Sequence, residues 1–148
     1  MAIIKAFKGI KKKSEFAKDV SALPYDVMNS AEAREMAKGN AHSFLHVSRA
    51  EIDLPEELDV HSKEVYQKAK SNFEKLMTDQ VLIQENTNCL YVYAQTMEGR
   101  KQIGLVACSS IEDYFQDVIK KHEFTRPEKE QDRIAHMLAL QAHVGPIF

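Results

Sequence analysis

Cys89-Leu90-Tyr91-Val92-Tyr93-Ala94-Gln95-Thr96 and Gln102-Ile103-Gly104-Leu105-Val106-Ala107-Cys108 are two β-rich runs separated only by Met97-Glu98-Gly99-Arg100-Lys101. Both runs are rich in β-branched and aromatic side chains, and Glu98-Gly99 supplies the chemistry of a tight hairpin turn. Upstream, Val65, Tyr66, Ala69, Phe73, Leu76 and Met77 recur at intervals of three and four, which predicts an amphipathic helix over 62–78. A hairpin beside a helix of this length sets the class: α+β, with a small mixed or antiparallel sheet carrying the hairpin (about 89–108) and three to four flanking helices.

The other elements follow from punctuation. Ile3 to Ile10 alternates loosely and predicts a first strand, and Phe44 to Val47 and Val81 to Gln84 predict two short ones. Leu23 stands before Pro24 and is pushed to extended backbone, so Ser21 to Val27 reads as a rigid loop. Asn29 and Glu32 have the spacing of a capping box, and Gly39-Asn40 closes the helix they open. Ser48 to His61 reads as a loop around Pro55. Ser110 with Asp113 caps a short helix to about Ile119. Thr125, Pro127 and Glu128 are the start signal of a last helix, running to about Ala142. Strict βαβ alternation, a Gly-rich phosphate loop and internal repeats are all missing.

At 148 residues the chain fits a single α+β domain, 1–148. Val144 to Phe148 resembles a strand just beginning, so the expectation is the N-terminal portion of a longer protein. Lys plus Arg number 20 against 22 Asp plus Glu, a net charge of −2. That balance makes nucleic acid an unlikely partner, because phosphate contacts demand a basic excess. The Lys11-Lys12-Lys13 run reads as a solvated turn. No apolar stretch approaches the roughly 20 residues that span a bilayer. Without a signal peptide, the expected location is cytoplasmic, and Cys89 and Cys108 are expected to be reduced, buried thiols.

Chemistry concentrates in Lys120-Lys121-His122-Glu123-Phe124-Thr125-Arg126, just before a helix start. The first N–H groups of a helix are unsatisfied and its dipole is positive there, which favours an anion such as phosphate. Lys121, Thr125 and Arg126 are candidate phosphate ligands, with His122 and Glu123 as a candidate acid–base pair. The competing reading is a solvated linker with an ordinary cap. Asp132 and His136 are four apart on one helix face beside Arg133, so a carboxylate could orient an imidazole there; the plain alternative is a surface pair. Asp26 on its rigid loop is a third candidate catalytic group. Arg49 and Glu51, at the exit of the Phe44–Val47 segment, join Asp132 and Arg133 as candidate binding residues. His42, His46, Asp26 and Glu51 match no metal-site spacing, so no metal ligand is assigned. A nucleotide or a divalent metal is nevertheless compatible with the expected chemistry.

Four strings carry a resemblance: Ile4 to Ile10, Leu23 to Val27, Ser43 to Pro55, and Lys121 to Pro127 followed by Asp132-Arg133. Together they resemble the bacterial and archaeal domain-of-unknown-function family numbered one thousand and fifteen, along essentially the whole chain. The resemblance implies a longer protein and a link to serine metabolism. A fainter similarity is to the ParB and sulfiredoxin group, which includes free serine kinases. There a polar, Arg-containing turn before a helix holds phosphate, and His122 to Arg126 would be its counterpart. The Gly-Glu-Arg-Arg type sequence of ParB proteins is missing here. The resulting expectation is an enzyme that binds a phosphorylated small molecule or nucleotide, with serine or phosphoserine implied by the resemblance. The alternatives are a non-catalytic domain packing against its own C-terminal region or another chain, and a nucleic-acid-binding regulator.

Overall fold

The computed structural model describes residues 1–121 and 126–144. In chain order its elements are β1 (Ile4–Lys5), β2 (Ile10–Lys12), α1 (Ala17–Val20), α2 (Ser30–Ala37), α3 (Leu45–Ser48), α4 (Lys63–Thr78), β3 (Leu82–Gln84), β4 (Tyr91–Met97), β5 (Arg100–Val106), β6 (Cys108–Ser109), α5 (Ile111–Phe115) and α6 (Pro127–Leu140). Single 3-10 turns occupy Ser14–Phe16, Tyr25–Val27 and Ala50–Asp53. The class is α+β, as expected. The strands form three two-stranded sheets, β1 with β6, β2 with β3 and β4 with β5. No helix among the described residues is long and apolar enough to cross a membrane.

The chain divides into two compact units, Met1–Lys11 with Gln84–Thr125, and Lys12–Ile83 with Arg126–Phe148. The division runs through β2 and β3.

The second unit is helical and owns the core. Val65, Ala69, Phe73 and Leu76 are the buried stripe of α4, and their spacing keeps them on one face. They pack with Val20, Val47, Ala50, Val81, Leu82 and Leu140. A second cluster joins Ala33, Ala37, Leu45 and Ile52. α4 is the centre, contacting α6, α3 and the Ala50–Asp53 turn. The predicted capping box is present: Asn29 accepts from the Glu32 N–H and the Glu32 carboxylate accepts from the Asn29 N–H, each at 2.9 Å. Gly39 takes φ of 74°, the left-handed stop expected after this helix.

The predicted strand at Phe44–Val47 is instead helical, as α3. Leu45 and Val47 are both fully buried, but in different clusters. A strand would aim residues two apart at the same face, whereas a helical turn separates them by about 200°. Two cores on opposite sides therefore select the helix. Its backbone is satisfied locally, with Ser48 and Arg49 N–H groups donating to Phe44 and Leu45 carbonyls.

The first unit is built from ladders. β4 and β5 pair antiparallel, with Tyr91 opposite Val106 through Met97 opposite Arg100. The turn residues Glu98 and Gly99 both have positive φ, 51° and 78°, which matches the right-handed twist of a hairpin. The predicted first strand is split: Ile4 and Lys5 pair with β6, Phe7 bridges Cys89, and β2 belongs to another sheet. Gly9 donates its N–H to Tyr91 Oη at 2.7 Å, and a Cβ at this position would stand 2.6 Å from that oxygen. The expectation of buried thiols is corrected here: Cys108 is exposed and Cys89 half-buried, because a two-stranded ladder covers neither face. Both are free thiols.

α6 begins at Pro127, and its N-cap is Arg126, without a side-chain capping bond. Thr125, read as the cap, lies outside the described residues, as do Gly145 to Phe148 of the predicted terminal strand. Val144 packs against the main core. The lysine run is solvated with separate partners: Lys11 pairs with Glu85, Lys12 donates to Ser21 and Lys13 to Gln80.

Candidate functional site

The helical unit contains a partly enclosed cavity of about 360 Å³. Five segments build its wall: the turn around Tyr25, Asp26 and Met28, the chain from Val47 to Glu51, the loop at Val60–His61, the Val65, Tyr66 and Ala69 face of α4, and one face of α6. The α6 face is a helical repeat, in which Glu128 and Lys129, then Asp132 and Arg133, then His136 succeed one another at four-residue intervals.

Asp132 is the hub. Its Oδ1 accepts from Tyr66 Oη at 2.8 Å and lies 3.1 Å from His61 Nδ1. Its Oδ2 accepts from Arg133 Nε at 3.0 Å and Nη2 at 2.5 Å. Burial acts to raise the pKa of this carboxyl, but the bonds from Arg133, Tyr66 and His61 outweigh it and hold the group below its ordinary value. Burial first, and then the bond to Asp132, push the Tyr66 hydroxyl up to about 12. The Arg133 guanidinium also lies over the Tyr25 ring, 4.2 Å from its centroid.

A second acid–base pair faces it. Arg49 Nε is 3.0 Å from Glu51 Oε1, an ion pair whose N–H is not aligned for a hydrogen bond. Ser30 bridges the two, accepting from Arg49 Nη2 at 3.2 Å and donating to Glu51 Oε1 at 2.9 Å. Both guanidiniums keep Nη1 without a partner among the described residues.

His136 is 4% exposed. Its Nε2 lies 3.0 Å from the Val47 carbonyl, which can only accept, so Nε2 carries the proton. Nδ1 is buried with no partner among the described residues. Burial is the main cause that lowers the pKa of this imidazole.

Six of the residues singled out in the sequence line this one cavity: Asp26, Arg49, Glu51, Asp132, Arg133 and His136. The idea that Asp132 orients His136 is corrected: both face the cavity, but Asp132 is committed to Tyr66, His61 and Arg133, and His136 to Val47. His122, Glu123 and Thr125 lie outside the described residues. Lys121 belongs to the strand-rich unit, with Nζ 5.0 Å from the centroid of the Tyr114 ring. Arg126 is exposed at the start of α6. His42 stacks edgewise on Phe16, and His46 is held between Asp53 and the Asn40 carbonyl. No cluster of three metal-ligating side chains occurs among the described residues.

Sequence reasoning missed His61, Tyr66 and Ser30. His61 read as loop and Tyr66 as one of the apolar positions of α4. Their partners stand 71 and 66 positions away, so no local pattern records them.

Comparison with curated proteins and with solved structures finds no match to this chain. The family comparison does, over nearly the whole length and including every residue that lines the cavity. The chain belongs to the family described as protein of unknown function, DUF1015, whose family model matches residues 4–148.

Proposed function

We propose that this cavity binds a small ligand carrying both charges, of the serine or phosphoserine class, and that the protein is an enzyme of phosphate chemistry acting on it. The observation that carries the reading is the pairing of two guanidiniums with two carboxylates around one half-enclosed space. Arg49, Lys129 and Arg133 face Asp26, Glu51, Glu128 and Asp132, a near balance of charge. A polyanion such as nucleic acid gains little from such a wall, whereas a zwitterion finds a partner for each end. Guanidinium forks suit phosphate or carboxylate oxygens, and free carboxylates suit an ammonium group. The volume is at the small end of ligand pockets.

The test is a thermal-shift and calorimetric titration with L-serine, L-phosphoserine, inorganic phosphate, ADP and ATP. Phosphoserine should raise the melting temperature, since binding to the folded state alone stabilises it. Arg49→Gln should weaken that binding at least tenfold. Absence of any shift with all five compounds sinks the reading.

A second reading, a packing domain for further polypeptide, rests on a different observation. Val92, Ile103 and Leu105 share one face of the hairpin by register, and are 75%, 68% and 57% exposed. An apolar face of this kind is typical of a protein contact. If Leu105→Lys leaves solubility and self-association unchanged, that reading loses its support.

A further inference from the structure

We propose that His61, oriented by Asp132, is the proton-transfer group of the cavity. The proposal deepens the reading of the cavity as a ligand site and rests on it for the identity of the substrate.

An ionised carboxylate only accepts hydrogen bonds, so the contact between Asp132 Oδ1 and His61 Nδ1 requires Nδ1 to carry a proton. In the neutral ring the lone pair is then on Nε2, which has no partner among the described residues. His61 lines the cavity and its side chain is 62% exposed, so the free edge of the ring is open to a ligand.

An exposed His–Asp contact is usually two mobile side chains and contributes little. This one differs at both ends. The Asp132 side chain is only 15% exposed and is clamped by the Tyr66 hydroxyl and the Arg133 fork. On the His61 side the backbone is pinned: its N–H donates to Asp59 Oδ1 at 2.9 Å, and the next N–H, of Ser62, donates to the Asp59 carbonyl at 2.9 Å. The imidazole therefore stands at the entrance to α4 with its tautomer set by a fixed carboxylate. His136, the other ring in the cavity wall, is unsuited to the role. Its Nε2–H is committed to Val47 and its Nδ1 is occluded.

A ring with an open Nε2 lone pair suits a ligand hydroxyl. With a nucleoside triphosphate as phosphoryl donor, the hydroxyl O–H bond breaks and its proton goes to Nε2. The oxygen forms the new bond to the terminal phosphorus. The bridging P–O bond breaks, its electron pair leaving with the nucleoside diphosphate. Asp132 then stabilises the imidazolium. The groups facing His61 are Asp59 on its own loop, Tyr66 on α4, and Asp132 and Arg133 on α6, with Glu128 and Lys129 further along the same wall.

Nitrogen NMR of the histidine rings tests the assignment without any ligand. His61 should show the Nδ1–H tautomer, the minor form of a free imidazole, and Asp132→Asn should abolish that preference. A wild-type His61 with its proton on Nε2 overturns the proposal. With MgATP and L-serine, His61→Gln should reduce turnover on the order of 100-fold or more while changing the Kd for L-phosphoserine far less. Full turnover by His61→Gln also overturns it. If L-phosphoserine fails to bind the wild type, the ligand reading fails by itself, and the tautomer measurement still decides the pair.

Discussion

The two units solve the problem of holding a chain in place by different means. In the helical unit, apolar side chains from α1, α2, α3, α4 and α6 vanish from solvent, and Leu45, Val47 and Val81 are the largest that do so completely. In the strand-rich unit no described apolar side chain is buried; among the described residues of that unit the one buried is Asp113, which accepts the Ile3 N–H at 2.7 Å. That unit is held by ladder bonds, a tight turn and single polar contacts such as Gly9 to Tyr91. The difference explains where the chemistry collects. A cavity with oriented charges needs rigid walls and a low local dielectric, and only packed helices supply them here.

The sharpest way to break this comparison is a pair of truncations. Leu76→Ala removes a core side chain that is 4% exposed and should cost about 3 kcal/mol in denaturant unfolding. Leu105→Ala, on the hairpin, should stay within about 0.5 kcal/mol. Equal costs would mean that the hairpin is packed as the core is, and the contrast would fall.

A smaller effect comes from the polar anchor. Asp113→Ala leaves the Ile3 N–H without its acceptor and should destabilise the strand-rich unit by about 1–3 kcal/mol, read by hydrogen exchange of the β1 and β6 amides. Unchanged exchange there would show that the ladder alone suffices.

The smallest expected effect is a pH response confined to the helical unit. Burial lowers the folded pKa of His136, so the unfolded chain binds its proton first as the solution is acidified. Its contribution is complete above the ordinary value of 6.5 and is lost as pH falls from there through the folded pKa. His136→Gln should flatten that slope in the α6 amides and leave the β4 and β5 amides alone. A slope equal in both units, or kept in the variant, contradicts the assignment. Asp132 acts in the same direction at lower pH, since its carboxyl is held below the ordinary 3.8.

Local rules were legible wherever the stabilising partner lies within a few residues. The α4 stripe, the Asn29–Glu32 box, the Gly39 stop and the Glu98-Gly99 turn all belong here, because helix periodicity, capping and turn chemistry are short-range. The α3 segment was misread for the opposite reason. Leu45-His46-Val47 is apolar and β-branched enough for a strand, and only the presence of two cores on opposite sides makes it a helix.

The candidate site divides along the same line. Asp26, Arg49, Glu51, Asp132 and Arg133 were visible in the sequence as charged residues at element ends. Their meeting in one cavity, together with Tyr66 and His61, was not, because the bonds that join α6 to α4 and its entry loop span 66 to 71 positions. The sequence by itself determined the class, the main helix, the hairpin and the charge balance, all consequences of contacts between near neighbours. Only the tertiary structure decided which carboxylate meets which imidazole, since that depends on how whole helices pack, and packing is set by the summed burial of residues far apart in the chain.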